Sequence, residues 1–458
     1  MLIRKVVIKM QRYGKKMSWV HFFLSMSGKF CIFAVCFVMI TYKKYILDNG
    51  LTVVVHEAWD TPLATVNVLY NVGARDEDAT RTGFAHLFEH LMFGGTDQVP
   101  DFDAVVSSYG GESNAFTNND FTNYYITVPV GGLETCLSLE ADRMAHLSLN
   151  AKALSVQQRV VTEEYNQRYK NQPYGDVWLL MRPLCYKVHP YRWPTIGADI
   201  RHVSEATLED VQAFHSRYYR PENAILAVAA PMDSDRMMSL VARAWGSVEW
   251  EEENGVRCFA KERKYPEEPE QKEARWLVVE REVPATAVYM AWPMCGHFGR
   301  DFRACDLVSD VLGNGTSSRV YSHIVRPGRL VSDGDVYISG DAGPGLLVMS
   351  AKLLPGVEED EVVEAMRREV RILVADGLSE RELEKVKNKF ESTFVFSQYK
   401  ASDRALSLCQ NTWLGNTDLT NTEPEAYRRI TPEDVQRAAA AMFDDRRENV
   451  LVIKRVEK

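Results

Sequence analysis

The apolar positions of this chain follow two periods, which predicts a mixture of strands and helices. Residues 45–57, YILDNGLTVVVHE, are typical of two strands joined by a turn at DNG. Residues 63–74, LATVNVLYNVGA, predict the next strand. In residues 83–95, GFAHLFEHLMFGG, the apolar positions recur at helical spacing instead. The apolar residues of this predicted helix are Phe84, Leu87, Phe88, Leu91 and Met92.

Further elements can be placed before residue 231. Residues 110–130, GGESNAFTNNDFTNYYITVPV, alternate enough to predict one strand after two glycines. Three helices are predicted, at Gly132 to Leu147, at about Ala151 to Lys170 and at 207–219. A buried strand is predicted at 223–230. Thr207 and Asp210 fit a cap at the start of the last of these helices.

A change of composition divides the chain. Residues 249–275 are rich in charge, contain prolines and lack periodicity, which indicates a linker. After it, residues 274–294, ARWLVVEREVPATAVYMAWPM, echo residues 51–72, and a predicted helix follows in both places. We therefore predict an internal duplication with an N-terminal extension at 1–42, a first domain at 43–250, a linker at 251–274 and a second domain at 275–458.

Length and composition fit this division. At 458 residues the chain is too long for one ordinary core, and 46% hydrophobic and 26% charged residues are typical of a globular protein. A formal net charge of -9 argues against nucleic acid as a partner, because no basic surplus exists to displace counterions from phosphates. The eight cysteines are scattered, without a C-x-x-C pair, which gives no reason to expect a disulfide framework.

The N-terminal extension allows two interpretations. Basic residues precede an apolar stretch at 30–41, FCIFAVCFVMIT, which resembles the hydrophobic region of a signal peptide. The stretch is short for a membrane span, and no small-residue cleavage site follows it. A natural start at Met39 explains why the stretch is too short for a membrane span and lacks a cleavage site, and it predicts a cytoplasmic protein. The alternative is a periplasmic protein or one anchored through residues 18–41, and membrane contact is expected only if the extension is genuine.

The predicted helix at 83–95 carries two histidines and a glutamate. His86 and His90 are one turn apart on one face, so their imidazoles can share a metal ion. Glu89 lies beside them, where a carboxylate can take a proton from water that the metal has acidified. The His-x-x-Glu-His spacing favours this site over the alternative, two buried histidines bonded to backbone carbonyls beside an exposed glutamate.

A catalytic zinc ion usually takes three protein ligands, so a third is expected elsewhere in the chain. Glu163 and Glu164 follow Val160 and Val161 in a predicted helix. Glu164 is expected to point the way the two packed valines point, whereas Glu163 faces solvent. The alternative for both residues is an exposed acidic pair, which by the residues alone is the more frequent case.

These residues together resemble the inverzincin pattern of the pitrilysin and insulin-degrading-enzyme family of zinc peptidases. The likeness runs from about Lys44 to the C-terminus. Four segments carry it. LDNGLTVVV is similar to the opening strand of the family, and GFAHLFEHLMFGGT is similar to its zinc helix. GGESNAFTNNDFTNYY is similar to its substrate-side edge strand, and VVTEE is similar to its distal glutamate helix. A chain of this length with duplicated halves most resembles the half-length bacterial members related to mitochondrial processing peptidase.

The resemblance implies a fold, a metal and a set of roles. It implies an α+β fold in which two homologous α/β sandwich halves, each an antiparallel-rich sheet with packed helices, enclose a chamber. It also implies one Zn²⁺ per chain, with His86, His90 and Glu164 as metal ligands and Glu89 as the catalytic general base.

The resemblance gives the predicted strand at 110–130 a role as well. In the family this edge strand pairs with a peptide by β-augmentation, so backbone groups supply affinity while side chains tolerate varied sequences. The substrate-binding residues expected on this basis are Asn114, Ala115, Phe116 and Thr117. The sequence alone equally allows Asn114 to be an ordinary polar residue at the start of a strand.

Two departures from the family pattern stand out. Gln157 lies seven residues before Glu164, where the family usually has another glutamate. Active members usually present an arginine and, seven residues on, a tyrosine from the C-terminal half, which steady the substrate carbonyl. Val325 and Ser332 occupy those positions here, and neither can donate as required.

We therefore expect a zinc-dependent endopeptidase acting on peptides or unfolded polypeptide, completed by a second homologous chain in a homo- or hetero-oligomer. Arg326 or Arg329 could supply the arginine after a small register shift. The alternative is a non-catalytic or weakly active peptide-binding subunit, which the missing pair favours and the intact zinc motif opposes. A metal-storage or scaffold protein is a third interpretation, and the edge-strand motif gives it no support.

Overall fold

The computed structural model describes residues 39–246, 248 and 263–456. The predicted N-terminal extension lies outside the described residues up to position 38, and so do residues 251–262 of the predicted linker. Both interpretations of the extension therefore stay predictions. No helix within the described ranges is both long enough and apolar enough to cross a membrane.

Six strands in residues 39–246 form the first sheet. Their bounds are Lys43–Ile46 (β1), Thr52–Glu57 (β2), Leu63–Tyr70 (β3), Glu112–Thr117 (β4), Thr122–Pro129 (β5) and Ala224–Ala230 (β6). They lie in the order β1-β2-β6-β3-β5-β4, and only β2 and β6 are parallel neighbours. The predicted turn between β1 and β2 is confirmed, with Gly50 at a φ of +88° that favours glycine.

Eight α-helices lie in the same described range. Their bounds are Phe84–Leu91 (α1), Phe102–Ser108 (α2), Leu133–His146 (α3), Ala151–Tyr165 (α4), Val177–Cys185 (α5), Arg201–Ser204 (α6), Leu208–Tyr218 (α7) and Ser234–Trp245 (α8). The predicted helix from about Ala151 to Lys170 is confirmed, because α4 continues as the π-helical segment Asn166–Lys170. Thr207 and Asp210 form a capping box at the start of α7, as the sequence predicts.

The elements of the second half lie within the described residues 263–456. Its five strands are Arg275–Arg281 (β7), Ala287–Met294 (β8), Val331–Ile338 (β9), Gly345–Leu353 (β10) and Asn449–Arg455 (β11). Its six α-helices in this range are Phe302–Gly313 (α9), Glu359–Asp376 (α10), Glu380–Phe396 (α11), Ala401–Trp413 (α12), Leu419–Arg428 (α13) and Pro432–Met442 (α14). The strands lie in the order β7-β11-β8-β10-β9, with β7 and β11 parallel and the other neighbours antiparallel.

The two sheets share one topology. The strands β2, β6, β3, β5 and β4 match β7, β11, β8, β10 and β9 in order and direction, with the single parallel pair in the same place. The recurrence in the sequence is therefore a repeat of structure, and the two α/β halves expected from the resemblance are confirmed. The chamber and the domain boundaries at 43–250 and 275–458 stay predictions.

Each half also covers the sheet of the other half with a helix. From the second half, α12 packs on β3 and β6, where Ala405 and Leu408 are fully buried. From the first half, α5 packs on the second sheet, where Met181 joins a cluster with Leu451 and Ile453. Because apolar surface is buried at both contacts, the halves are joined by core packing and not only by the linker.

The prediction of a single strand at 110–130 is wrong, because this segment folds into the antiparallel pair β4 and β5. Between them, the side chain of Asn118 accepts hydrogen bonds from the N–H groups of Asp120 and Phe121, both at 2.8 Å. An asparagine that bonds to the backbone two and three residues on closes a turn, which the alternation pattern does not reveal. As a result β4 is the terminal strand of the first sheet, and β5 is an internal one.

Candidate metal centre and peptide-binding strand

Helix α1 begins at a glycine in a left-handed conformation. Gly83 has a φ of +88°, and a Cβ there would lie 2.8 Å from both the carbonyl oxygen of Ile196 and Cγ2 of Val203. The buried carboxylate of Glu77 accepts hydrogen bonds from the N–H groups of Gly83, at 2.9 Å, and Ala85, at 2.8 Å. These contacts fix the first turn of α1 and therefore the direction of its side chains.

The rest of α1 is held by its apolar face. Leu87 and Phe88 are fully buried in the first core, and the Tyr124 hydroxyl donates to the Phe88 carbonyl at 3.2 Å. His86 and His90 lie on the face that meets α4, with ring centroids 4.9 Å apart. Packing of the apolar stripe thus presents both imidazoles side by side.

Helix α4 brings the third donor. Val161 is fully buried, and Glu164, one turn on, reaches α1, while Glu163 is exposed. The expectation that Val160 also belongs to the packed face is wrong, because 43% of this residue is exposed. The reason is that α4 buries only a narrow stripe, formed by Leu154 and Val161.

One carboxylate oxygen of Glu164 faces both imidazoles. Glu164 Oε2 lies 3.5 Å from His86 Nε2 and 3.3 Å from His90 Nε2. Ligand atoms held 2.0–2.1 Å from a tetrahedral zinc ion are about 3.4 Å apart, so these separations fit such an ion. Among the described residues this is the one group of possible metal ligands whose donor atoms converge, all within 4.8 Å of one another.

The charge states of these donors also suit a metal. Burial lowers the pKa of His86 to about 4, against the opposing effect of Glu164, so this imidazole is neutral near pH 7. The hydrogen bond from His90 lowers the pKa of Glu164 and keeps that carboxylate ionised. A neutral imidazole and an ionised carboxylate are the forms that bind a metal ion.

Glu89 lies on the same helical turn but outside the converging group. Burial raises the pKa of Glu89, and interaction with the Thr117 hydroxyl lowers it in part. A carboxylate with a raised pKa is a better proton acceptor from water. Because Thr117 belongs to β4, the candidate base and the edge strand meet at one point.

The four predicted substrate-binding residues all lie on β4, at the edge of the first sheet. Asn114 is exposed, and its side-chain oxygen accepts from the N–H of Ala115 at 2.8 Å. Ala115 packs against the first core, and the ring of Phe116 lies 5.9 Å from that of Phe121. In the described chain the outer backbone groups of β4 pair with no strand, so a peptide can add there.

The two positions where the family pattern would place an arginine and a tyrosine lie in the second half. Val325 ends the π-helical segment Tyr321–Val325 and packs partly against the second core. Ser332 is exposed on β9, and its hydroxyl donates to the Lys352 carbonyl at 3.3 Å. Arg326 and Arg329 are both exposed.

The sequence patterns do not single out two residues of this site. One is Glu77, and the other is Arg168, whose Nη1 lies 2.7 Å from Glu164 Oε1. Each of the two residues has a sequence feature by which it could have been predicted. An acidic residue shortly before a helix can cap it, and an arginine four residues after a glutamate can pair with it.

Both halves of the chain share sequence with known proteins. Residues 52–181 match the family model described as Insulinase (Peptidase family M16), and residues 205–390 match the one described as Peptidase M16 inactive domain. Zinc protease PqqE from Helicobacter pylori is 30% identical over 429 residues, which cover 90% of this chain and 93% of the relative. The chain belongs to peptidase family M16. The names of such relatives indicate zinc as the metal of the family.

Other comparisons place this M16 chain among half-size members. YmxG of Bacillus subtilis, an uncharacterized zinc protease, is 24% identical over 364 residues, covering 78% of this chain and 84% of the relative. The structure of a protease from Helicobacter pylori matches with a TM-score of 0.84 at 28% identity, covering 91% of this chain and 100% of the other. Pitrilysin shares the fold with a TM-score of 0.71 at 18% identity, over 92% of this chain but 45% of its own.

Proposed function

We propose that this M16 chain is a zinc-dependent endopeptidase that hydrolyses peptides or unfolded polypeptide segments. The observation that carries the proposal is the convergence of two imidazoles and one carboxylate at separations that fit zinc, with a second carboxylate beside them. A storage or scaffold site would not need the second carboxylate, nor an adjacent edge strand.

In this proposal His86, His90 and Glu164 hold one zinc ion. Zinc, when bound, supplies Lewis acidity toward the scissile carbonyl and makes water easier to deprotonate. Glu89 removes the proton from the attacking water and then, as a carboxylic acid, gives it to the leaving amine. Burial of Glu89 supports this role, because it raises the pKa and so makes the carboxylate a stronger proton acceptor.

The substrate in this proposal adds to β4 as a further strand. Backbone groups of residues 114–117 bind the peptide backbone, which favours extended substrates with varied side chains. Asn114 is exposed on this edge strand, while the Thr117 hydroxyl interacts with Glu89 and lowers its pKa in part. A folded protein cannot present a free strand of this kind, so unfolded segments are the expected substrates.

A second homologous chain completes the site in this proposal. Val325 and Ser332 provide neither a cation nor a phenol, so the donors that steady the substrate carbonyl must come from elsewhere. The absence of these donors at Val325 and Ser332 also supports the alternative function, a weakly active peptide-binding subunit of a peptidase assembly. The two functions differ in whether the zinc site of this chain turns over substrate.

The proposed function is tested by replacing the candidate base. Purified wild-type protein is expected to hold one zinc per chain. The Glu89→Gln variant is expected to keep that zinc, while its rate of hydrolysis of an unfolded polypeptide falls by at least ~100-fold, the scale expected when a general base is lost. Metal analysis and a peptidase assay measure both quantities. Glu209→Gln, an exposed glutamate on α7, is the matched control and should change neither. Wild-type protein without zinc, or a Glu89→Gln variant that keeps full activity, would contradict the proposal.

A further inference from the structure

The two oxygens of the Glu164 carboxylate have different partners. Oε2 faces the imidazoles of His86 and His90, at 3.5 Å and 3.3 Å. Oε1 forms an ion pair with the Arg168 guanidinium, whose Nη1 lies 2.7 Å away. Because each oxygen is engaged, the plane of the carboxylate is fixed with one oxygen directed at the metal position.

Arg168 lies in an unusual helical turn. Helix α4 ends at Tyr165 and continues directly as the π-helical segment Asn166–Lys170, closed by a hydrogen bond from the Asn171 N–H to the Asn166 carbonyl at 2.9 Å. The rings of Tyr165 and Tyr169 stack within this turn, with centroids 5.6 Å apart. Short π-helical turns are rare and frequently occur at functional sites.

The residues after this turn hold it in place. A Cβ on Gly175 would lie 2.3 Å from the Arg168 carbonyl oxygen, so only glycine lets the chain pass so close. Tyr174 is the one non-glycine residue of the described chain with a positive φ, at +63°. Its hydroxyl donates to the Ala285 carbonyl at 2.7 Å and accepts from the Ala285 N–H at 3.1 Å, which ties the segment to the second half.

We propose that Arg168 is a positioning residue that orients Glu164 as a single-oxygen metal ligand. This inference rests on the proposed function, since it concerns the same zinc site. A partner that holds the second oxygen of a metal-binding carboxylate tunes the affinity of the site, and losing such a partner typically costs about 10- to 100-fold. Folding does not explain the pair, because 68% of the Arg168 side chain is exposed and exposed ion pairs contribute little to stability.

The test compares three variants by the dissociation constant of zinc, measured with a competing chelator. Arg168→Ala is expected to raise this constant by about 10- to 100-fold. Arg168→Lys keeps the charge but not the planar donor group, so its zinc dissociation constant should lie between those of the wild type and the alanine variant. Arg159→Ala removes an exposed arginine from the same helix and is expected to leave zinc binding unchanged. Circular dichroism of the metal-free variants checks that each is folded.

The outcomes separate this inference from the proposed function. A wild-type protein that binds no zinc would contradict both. If the wild type binds zinc and Arg168→Ala binds it equally well, only the positioning role is wrong. A variant whose KM rises while its zinc dissociation constant stays unchanged would show that Arg168 acts on the substrate, which also overturns the inference.

Discussion

Two carboxylates near one metal position have opposite shifts in pKa. The hydrogen bond from His90 lowers the pKa of Glu164, whereas burial raises the pKa of Glu89. Groups whose environments move their pKa values apart are suited to different tasks, which in the proposed function are those of a metal ligand and a proton carrier. Both residues are glutamates, so the difference comes from burial in one case and from the neighbouring His90 in the other.

The choice of Glu164 over Glu163 can be tested with one matched pair. Glu164→Gln should raise the zinc dissociation constant by at least about tenfold, because a neutral amide is a poorer zinc ligand than a carboxylate. Glu163→Gln makes the same chemical change at an exposed position one residue away and should leave zinc binding unchanged. Chelator competition measures both, and the reverse order would mean that Glu163 is the ligand.

At the scale of elements, the site depends on where α1 begins. The helix has only eight residues, so a displaced first turn moves both histidines relative to α4. Its start is fixed by the left-handed Gly83 and by the Glu77 carboxylate, and its middle by the bond from Tyr124. These supports come from three separate segments of the first half.

Gly83→Ala should therefore damage both stability and metal binding. A left-handed conformation costs a non-glycine residue about 1–2 kcal/mol, and the added Cβ would also press on Ile196 and Val203. We expect a loss of at least this size in the free energy of unfolding by denaturant, together with weaker zinc binding. Gly131→Ala is the control, because a Cβ there would meet no atom within 4 Å. Equal behaviour of the two variants would contradict the role given to Gly83.

At the scale of the whole molecule, two halves of one topology carry unequal chemistry. In the described chain the converging donors lie only in the first half, and the second half presents Val325 and Ser332 where donors are expected. The exchanged helices α5 and α12 join the halves into one body. The proposed completion of the site by a second homologous chain rests on the absence of these donors.

Mixing with a homologue tests this completion. The isolated chain should be slow, and addition of a homologous chain that lacks the zinc motif but carries the arginine and tyrosine should raise the peptidase rate by about 100-fold or more, because that is the scale of transition-state donors. Light scattering should show a hetero-oligomer in the same mixture.

Two controls accompany the mixing experiment. Glu89→Gln in this chain should abolish the gain, which would place the chemistry in its zinc site. Arg326→Ala tests whether Arg326 supplies the arginine within a homodimer instead. Full activity from the isolated chain, unchanged by any homologue and by Arg326→Ala, would contradict both forms of assembly.

The sequence by itself determined most elements of the first half and the placing of the candidate site residues on α1. Helical spacing placed His86, Glu89 and His90 on one turn, because the period of a helix fixes which residues share a face. The echo between the two halves likewise indicated a real repeat, because both halves have the same strand order. Glu164 was reached through its resemblance to a family motif, since no local pattern joins it to α1.

The tertiary structure decided features of the chain that its apolar pattern does not show. Asn118 divides one apparent strand into two, Val160 turns to solvent while Val161 is buried, and Arg168 holds the oxygen of Glu164 that the histidines leave free. The difference between Val160 and Val161 depends on which elements cover α4, whereas the other two are side-chain contacts between residues close in sequence. Periodicity along the chain records burial on average, so it reports neither the closure of a turn by a side chain, nor the width of a buried stripe, nor the partner of a carboxylate oxygen.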